Sequence, residues 1–295
     1  MKQFRRIGIC LAGQPGDDEA LAFAGRFAEL AQSESVLCVY VSGMEDRSPT
    51  HKPNEADLQR NVLSRLPDAV RPRTRVEVHA GTGVREILRT ARDQSLDLIV
   101  VGRRLPHDQR AAGSPFARLV RKSPCNVLVV PVNARPQFGR IQVLVDGSEH
   151  SRLALNMALE IAHASGEPNP EVVAHTVFEI GYGYQYTGRT FQEAARDLEA
   201  VWHERIQEFL KHIDPRGVPL DVVYSCSHDV ASVAFDLAAA RDQSLIMIGS
   251  RGRSRLKAVL VGDTTERVVY GAAEPVFVAK KKGETVPILD ALLSM

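Results

Sequence analysis

Ala91-Arg92-Asp93-Gln94-Ser95-Leu96 recurs letter for letter as Ala240-Arg241-Asp242-Gln243-Ser244-Leu245. Each copy runs into an apolar strand pattern, Asp97-Leu98-Ile99-Val100-Val101-Gly102 in the first and Ile246-Met247-Ile248-Gly249 in the second. Working outward, further pairs follow in the same order. Ile7–Gly13 (IGICLAG) matches Ile141–Gly147 (IQVLVDG), Val36–Val41 matches Val172–Val177, and Val127–Val130 matches Val276–Ala279. Gly113 and Gly262 stand at equal distances before those last strands. A six-residue identity alone could be chance, but matches that keep register along the chain mark a duplicated domain of about 140 residues, an ordinary domain size.

Within each half, β-branched runs alternate with helical stripes. In the second half strands are predicted at 141–145, 172–178, 220–224, 245–248 and 276–279. Helices are predicted at 151–164, 191–213, 230–241 and 264–270. Strands that are apolar throughout, alternating with helices, imply a parallel sheet covered on both faces. Such sheets bind ligands beyond the carboxyl ends of their strands. Residues 1–134 and 139–282 are therefore read as two tandem Rossmann-like domains, each a five-stranded parallel sheet flanked by helices, with 283–295 as a C-terminal tail. The tail carries Ile288, Leu289, Leu292 and Leu293 at helical spacing and is expected either to dock on the other domain or on a second chain or to fray as a terminus.

Composition bounds the function classes. The 295 residues are 44% hydrophobic and 25% charged, as in a globular protein, with a net charge of +1. That balance excludes a dedicated nucleic-acid or membrane-surface binder. Residues 1–134 carry a surplus of +5 and residues 135–295 a deficit of −4. Apolar runs fall short of the roughly 18 residues of a membrane span. The basic start at Lys2, Arg5 and Arg6 has no small-residue cleavage site after it, so no signal peptide is expected. Cys10, Cys38, Cys125 and Cys226 form no CxxC pair, and three sit in apolar runs, as reduced residues of a cytoplasmic protein would.

The chemistry concentrates in the second half. Gly249-Ser250-Arg251-Gly252 follows the fourth strand, and after nine residues comes Gly262-Asp263-Thr264-Thr265-Glu266. Glycines let backbone N–H groups approach oxygens closely, and a helix N-terminus supplies a positive dipole end. Arg251, Arg253, Arg255 and Lys257 add positive charge, and Asp146 closes the first strand where a ligand would lie.

Val145-Asp146-Gly147-Ser148-Glu149-His150-Ser151 together with Gly-x2-Gly-x9-Gly resembles a universal stress protein domain, and the first half repeats the layout. The resemblance implies an α/β fold like that of the adenine nucleotide alpha hydrolases, with domains paired through their last strands. It also implies bound ATP or AMP, with or without Mg²⁺, and a role as a stress-response regulator or switch. By position, Asp146 would face the adenosine, Thr176 would offer backbone hydrogen bonds to adenine, and Gly249, Arg251, Gly252, Gly262, Asp263 and Thr264 would line the phosphates.

Two departures bear on that carry-over. The family pattern has Ser or Thr after the last glycine, where this chain has Asp263, a carboxylate that repels phosphates unless a metal bridges them. Asp263 with Glu266 also reads as a helix-capping arrangement, worth about 1 kcal/mol. In the first half Ala12 replaces the aspartate, and Gly102-Arg103-Arg104-Leu105 lacks the second glycine. Only ten residues separate Gly102 from Gly113, against twelve between Gly249 and Gly262. The first half is thus not expected to bind ATP in the family manner.

The alternative reading is a nucleotide-free scaffold acting through an unknown protein partner, as an intrachain domain pair or a homodimer. No residue set resembles an efficient hydrolytic base, so any ATP hydrolysis is expected to be slow, and no catalytic or metal-ligating residues are assigned. The sequence holds no GxxxxGK[ST]. Gly181–Tyr186 lacks the third glycine of a dinucleotide loop and reads as a mobile loop, with a lid or partner surface as the alternative, and Lys280-Lys281-Lys282 reads as a solvated strand end.

Overall fold

The computed structural model describes residues 1–42, 54–80, 83–103, 115–181, 188, 190–252 and 261–283. The first half runs β1 (Arg6–Leu11), α1 (Asp17–Ala31), β2 (Ser35–Ser42), α2 (Glu55–Arg65), β3 (Thr74–Ala80), α3 (Gly83–Asp93), β4 (Leu98–Arg103), α4 (Pro115–Lys122) and β5 (Asn126–Pro131). The second half repeats it: β6 (Arg140–Leu144), α5 (Glu149–Ala164), β7 (Glu171–Phe178), α6 (Phe191–Leu210), β8 (Leu220–Cys226), α7 (Val230–Ala240), β9 (Leu245–Gly249), α8 (Asp263–Gly271) and β10 (Val276–Ala279). The strands predicted for the second half all form. α5 begins two residues before the predicted start because Ser148 caps it, accepting from the Ser151 N–H at 3.2 Å. The segments at 182–187 and 284–295, and Arg253, Arg255 and Lys257, lie outside the described residues.

The strands join one sheet in the order β3-β2-β1-β4-β5-β10-β9-β6-β7-β8. Nine strand junctions make it continuous, and eight are parallel. The exception is β5 with β10, antiparallel, with Phe277 opposite Leu128. Each half is therefore a mirror-ordered copy of the other about that junction.

Side-chain alternation splits the core into two layers. On one face α1, α2, α5 and α6 cover a cluster centred on Phe4, Phe23, Phe27, Phe138 and Phe277, each without solvent exposure. Phe4 meets Phe27 edge-on at 5.0 Å, and Phe27 stacks on Phe277 at 6.2 Å, so aromatics from both halves share one cluster. On the other face α3, α4, α7 and α8 cover Ile99, Val101, Val127, Ile246 and Val276.

The expectation that Lys280–Lys282 only solvates a strand end is corrected. Lys280 is buried and its ammonium donates to the carbonyls of Ser123 at 2.9 Å and Arg121 at 3.3 Å, closing the C-terminus of α4. Lys282 pairs with Asp97, whose other oxygen accepts from the Arg5 and Arg6 N–H groups. These lysines of the second half tie it to the first.

Candidate functional site

A cleft of about 390 Å³ opens beyond the carboxyl ends of β6, β7 and β9, within the range of small-molecule sites. Asp146, Gly249, Arg251, Gly252, Gly262, Asp263 and Thr264 all line it, so seven of the sequence-derived candidates converge there. Leu144, Val177, Val230 and Ile248 supply apolar wall.

The loop after β6 is set by its own chain. Asp146 Oδ1 accepts from the Ser148 N–H at 2.9 Å, Gly147 sits at φ +78°, and Ser148 caps α5. Asp146, Ser148 and His150 thus build a helix entry, and the Ser148 hydroxyl serves the cap. Opposite, Gly252 faces Asp146 so closely that a Cβ there would lie 3.0 Å from Asp146 Oδ2. Glycine here keeps the cleft open beside the carboxylate.

The other two glycines differ in role. A Cβ on Gly249 would meet the backbone carbonyl carbon of His150 at 2.8 Å, so this glycine is demanded by the packing of α5 on β9. Gly102 makes the equivalent approach to Gly16 in the first half, which explains why it persists where the rest of the loop has changed. Gly262 is the N-cap of α8. Its own N–H is taken by the Ser250 carbonyl at 3.1 Å, closing the loop, and a Cβ there would find nothing nearer than 4.0 Å.

α8 starts with Asp263, and Gly262 gives it no side-chain cap. Glu266 is the first residue whose N–H finds a helical acceptor, the Gly262 carbonyl at 3.2 Å. The amides of Asp263, Thr264 and Thr265 precede it at the cleft, where a helix start presents donors and a positive dipole end. Thr265 is anchored below, its hydroxyl donating to the Gly249 carbonyl at 3.1 Å. The capping arrangement of Asp263 with Glu266 does not form. Asp263 is already helical, and Glu266 instead accepts from Arg121 Nε of α4 at 2.8 Å.

Thr176 does not line the cleft. Its side chain is fully buried on the face of Val172 and Ala174, whereas His175 and Val177 face the cleft. Its backbone also points away. The Val172 N–H donates to Pro219, and the Phe178 carbonyl accepts from Ser227, so even-numbered residues of β7 bond toward β8. The Glu171 N–H and the His175 carbonyl bond toward β6, through Gly139 and Val145. Pairing with β6 ends at His175, so by parity the next residue whose amide and carbonyl turn to the vacated β6 side is Val177.

Sequence reasoning missed His175, which forms the floor. It is fully buried, its Nδ1 lies 3.1 Å from Gln142 Nε2, and its Nε2 lies 2.9 Å from Ser225 Oγ. Gln142 Nε2 also donates to the Ala234 carbonyl at 3.1 Å, which fixes it as a donor. Nδ1 is therefore the acceptor and Nε2 carries the hydrogen. Burial pushes the imidazole down to about pKa 4, which keeps it neutral at pH 7. A histidine at a core-facing position of β7, diagonal to Gln142 on β6, is the signal in the sequence. Among the described residues no cluster of His, Cys, Asp or Glu could hold a metal ion, and no helix is long and apolar enough to cross a membrane.

Two mirror-ordered α/β halves with a ligand-sized cleft at the strand ends of one of them define a tandem Rossmann-like α/β protein. The sequence model of the universal stress protein family matches residues 3–131 and 137–280, and the chain belongs to that family. It is 28% identical over 173 residues to universal stress protein Rv2005c of Mycobacterium tuberculosis, covering 57% of this chain and 56% of that relative. The chain thus spans little more than half the length of this relative. Protein PA1789 of Pseudomonas aeruginosa PAO1, described as functionally unknown, superposes with a TM-score of 0.67 at 18% identity, over 99% of this chain and 98% of the other. A universal stress protein from Archaeoglobus fulgidus DSM 4304 gives 0.63 at 18% identity, over 94% and 96%. These likenesses establish the fold.

Proposed function

We propose that the chain binds an adenine nucleotide, ATP or AMP, in the cleft of its second half and acts as a nucleotide-dependent regulator of a cytoplasmic stress response. One observation carries this reading: Asp146, Gly252 and the start of α8, without a side-chain cap, converge on one ligand-sized cleft at the ends of β6 and β9. Each part has a chemical use. The adenine lies against Val177 and Ile248, with the Val177 amide and carbonyl as its backbone partners in place of Thr176. Asp146 accepts from ribose hydroxyls. The first-turn amides of α8 and Arg251 take the phosphates. Asp263 stands among them, so Mg²⁺ bridging its carboxylate to the phosphates would offset their repulsion.

A second reading, a nucleotide-free scaffold, is favoured by the internal use of the loop. Gly249 is needed for helix packing, and Gly262 and Thr265 bond within the loop. Denaturing the purified protein and identifying released nucleotide, with Gly252→Val alongside, separates the two. ATP or AMP present in the wild type and lost in the variant supports the first. A clean protein that also fails to bind added ATP with Mg²⁺ supports the scaffold.

A further inference from the structure

The first half lacks the second glycine of the loop motif, and Arg103, next to the glycine it keeps, reaches into the second half. Arg103 ends β4 at the position that Ser250 holds after β9. Its side chain is 4% exposed, and its two terminal nitrogens donate to the carbonyls of Val269 and Ala272, at the C-terminus of α8. A guanidinium on the last carbonyls of a helix sits at the negative end of the dipole and satisfies acceptors the helix leaves open. Burial pulls the Arg103 guanidinium down to about 10, still charged at neutral pH, and nearby Glu274 partly offsets that cost. A second residue of the first half, Arg121 of α4, grips Glu266 one turn into the same helix. The second half holds α8 through Thr265 on Gly249 and through Arg267 on Asp229 at 2.6 Å.

α8 has nine residues, a rod of about 13 Å, with the first half on its C-terminal end and the cleft at its N-terminal end. So short a helix moves as a unit, and a shift where Arg103 holds it reappears at the amides of Asp263 and Thr264. We propose that Arg103 is a positioning residue: through α8, the degenerate first half sets the affinity of the second-half cleft for the phosphate part of its ligand. The inference rests on the nucleotide reading of the cleft. It gives the duplication a division of labour, in which one half binds and the other holds the phosphate-facing helix in register. It also gives a use to the arginine that stands at the Ser250 position in the half whose glycine motif is incomplete.

The test is isothermal titration of the full chain with ATP, AMP and adenosine, for wild type, Arg103→Met, Arg103→Lys and Arg121→Met. Coupling between sites of this kind is typically about 5-fold to 150-fold. The expected result for Arg103→Met is ATP affinity lower by about 5-fold or more, with adenosine affinity unchanged within about 2-fold. Arg103→Lys should recover part of the loss. A merely structural role would weaken adenosine and ATP alike, and that parallel loss overturns the proposal. So does a wild-type ratio of ATP to adenosine affinity in Arg103→Met. If Arg103→Met does not fold, Arg121→Met, whose side chain lies at the surface, carries the same test with the same two outcomes. A wild type that binds neither ATP nor adenosine refutes the nucleotide reading itself, which is a distinct failure.

Discussion

His175 offers a measurement that reads the floor of the cleft directly. The native imidazole is neutral, holding Gln142 and Ser225, with its pKa near 4, while the unfolded chain returns it to about 6.5. Between those values the unfolded state binds more protons than the native state, so stability rises with pH and is lost as pH falls from about 6.5 through about 4. Applying the linkage relation to those two pKa values gives a loss of about 2 kcal/mol between pH 7 and pH 5 from this one group. Carboxylates also titrate there, and Asp17 and Glu274, both raised by burial, act in the opposite sense. The comparison is therefore with His175→Gln, which keeps every other group. Urea unfolding at pH 7, 6 and 5 should show the wild type losing about 2 kcal/mol more than the variant across that range. Slopes that agree within about 0.5 kcal/mol, or a His175 resonance that titrates above pH 6 in the native protein, would refute the assignment of a neutral, Nε2-protonated floor.

Three other outcomes follow from the geometry. Asp263→Ser removes a negative charge from the cleft and should raise ATP affinity by about 3-fold or more without Mg²⁺, read by equilibrium dialysis; an unchanged or weaker affinity counts against phosphates at the start of α8. Gly249→Ala drives a Cβ to 2.8 Å from the His150 backbone and should destabilise the fold by about 1–3 kcal/mol, whereas Gly262→Ala, with 4.0 Å to its nearest neighbour, should cost under about 1 kcal/mol in denaturant unfolding. Phe277→Ala should cost about 3–5 kcal/mol in a single cooperative transition, because this second-half ring packs on Phe4 and Phe27 of the first half; two separated transitions would show that the halves fold independently.

The fold was legible because its signals are local and repeated. Apolar strands of four to eight residues, stripes such as Leu153-Leu155-Met157-Ala158, and stops at glycine each carry their own reading, and the duplication supplies every reading twice. The errors are at helix ends, where capping decides. Ser148 advances the start of α5, and α6 stops at Leu210, short of the predicted 213. The three cysteines in apolar runs are buried and Cys226 is exposed, as the hydropathy around each indicates.

The site was legible only as far as the chain itself brings residues together. Asp146 and Gly252 follow strands by two and three residues, Gly249 ends one and Gly262 precedes a helix, so their convergence follows from the parallel topology. The choice between Thr176 and Val177 does not, because it depends on which neighbour each residue's amide faces, a one-residue phase fixed by where β6 stops pairing. The partner of Glu266 could not be read either. A glutamate three residues after Asp263 satisfies the local rule for a cap, yet Arg121, 145 residues away, takes it once β5 and β10 lie side by side. Lys280 and Arg103 follow the same logic, each closing the last turn of a helix in the opposite half. The cross-domain ties therefore fall where the sequence departs from its own repeat or carries an unremarkable charge. In a tandem protein such departures, more than the preserved motif, are where one half has acquired a task toward the other.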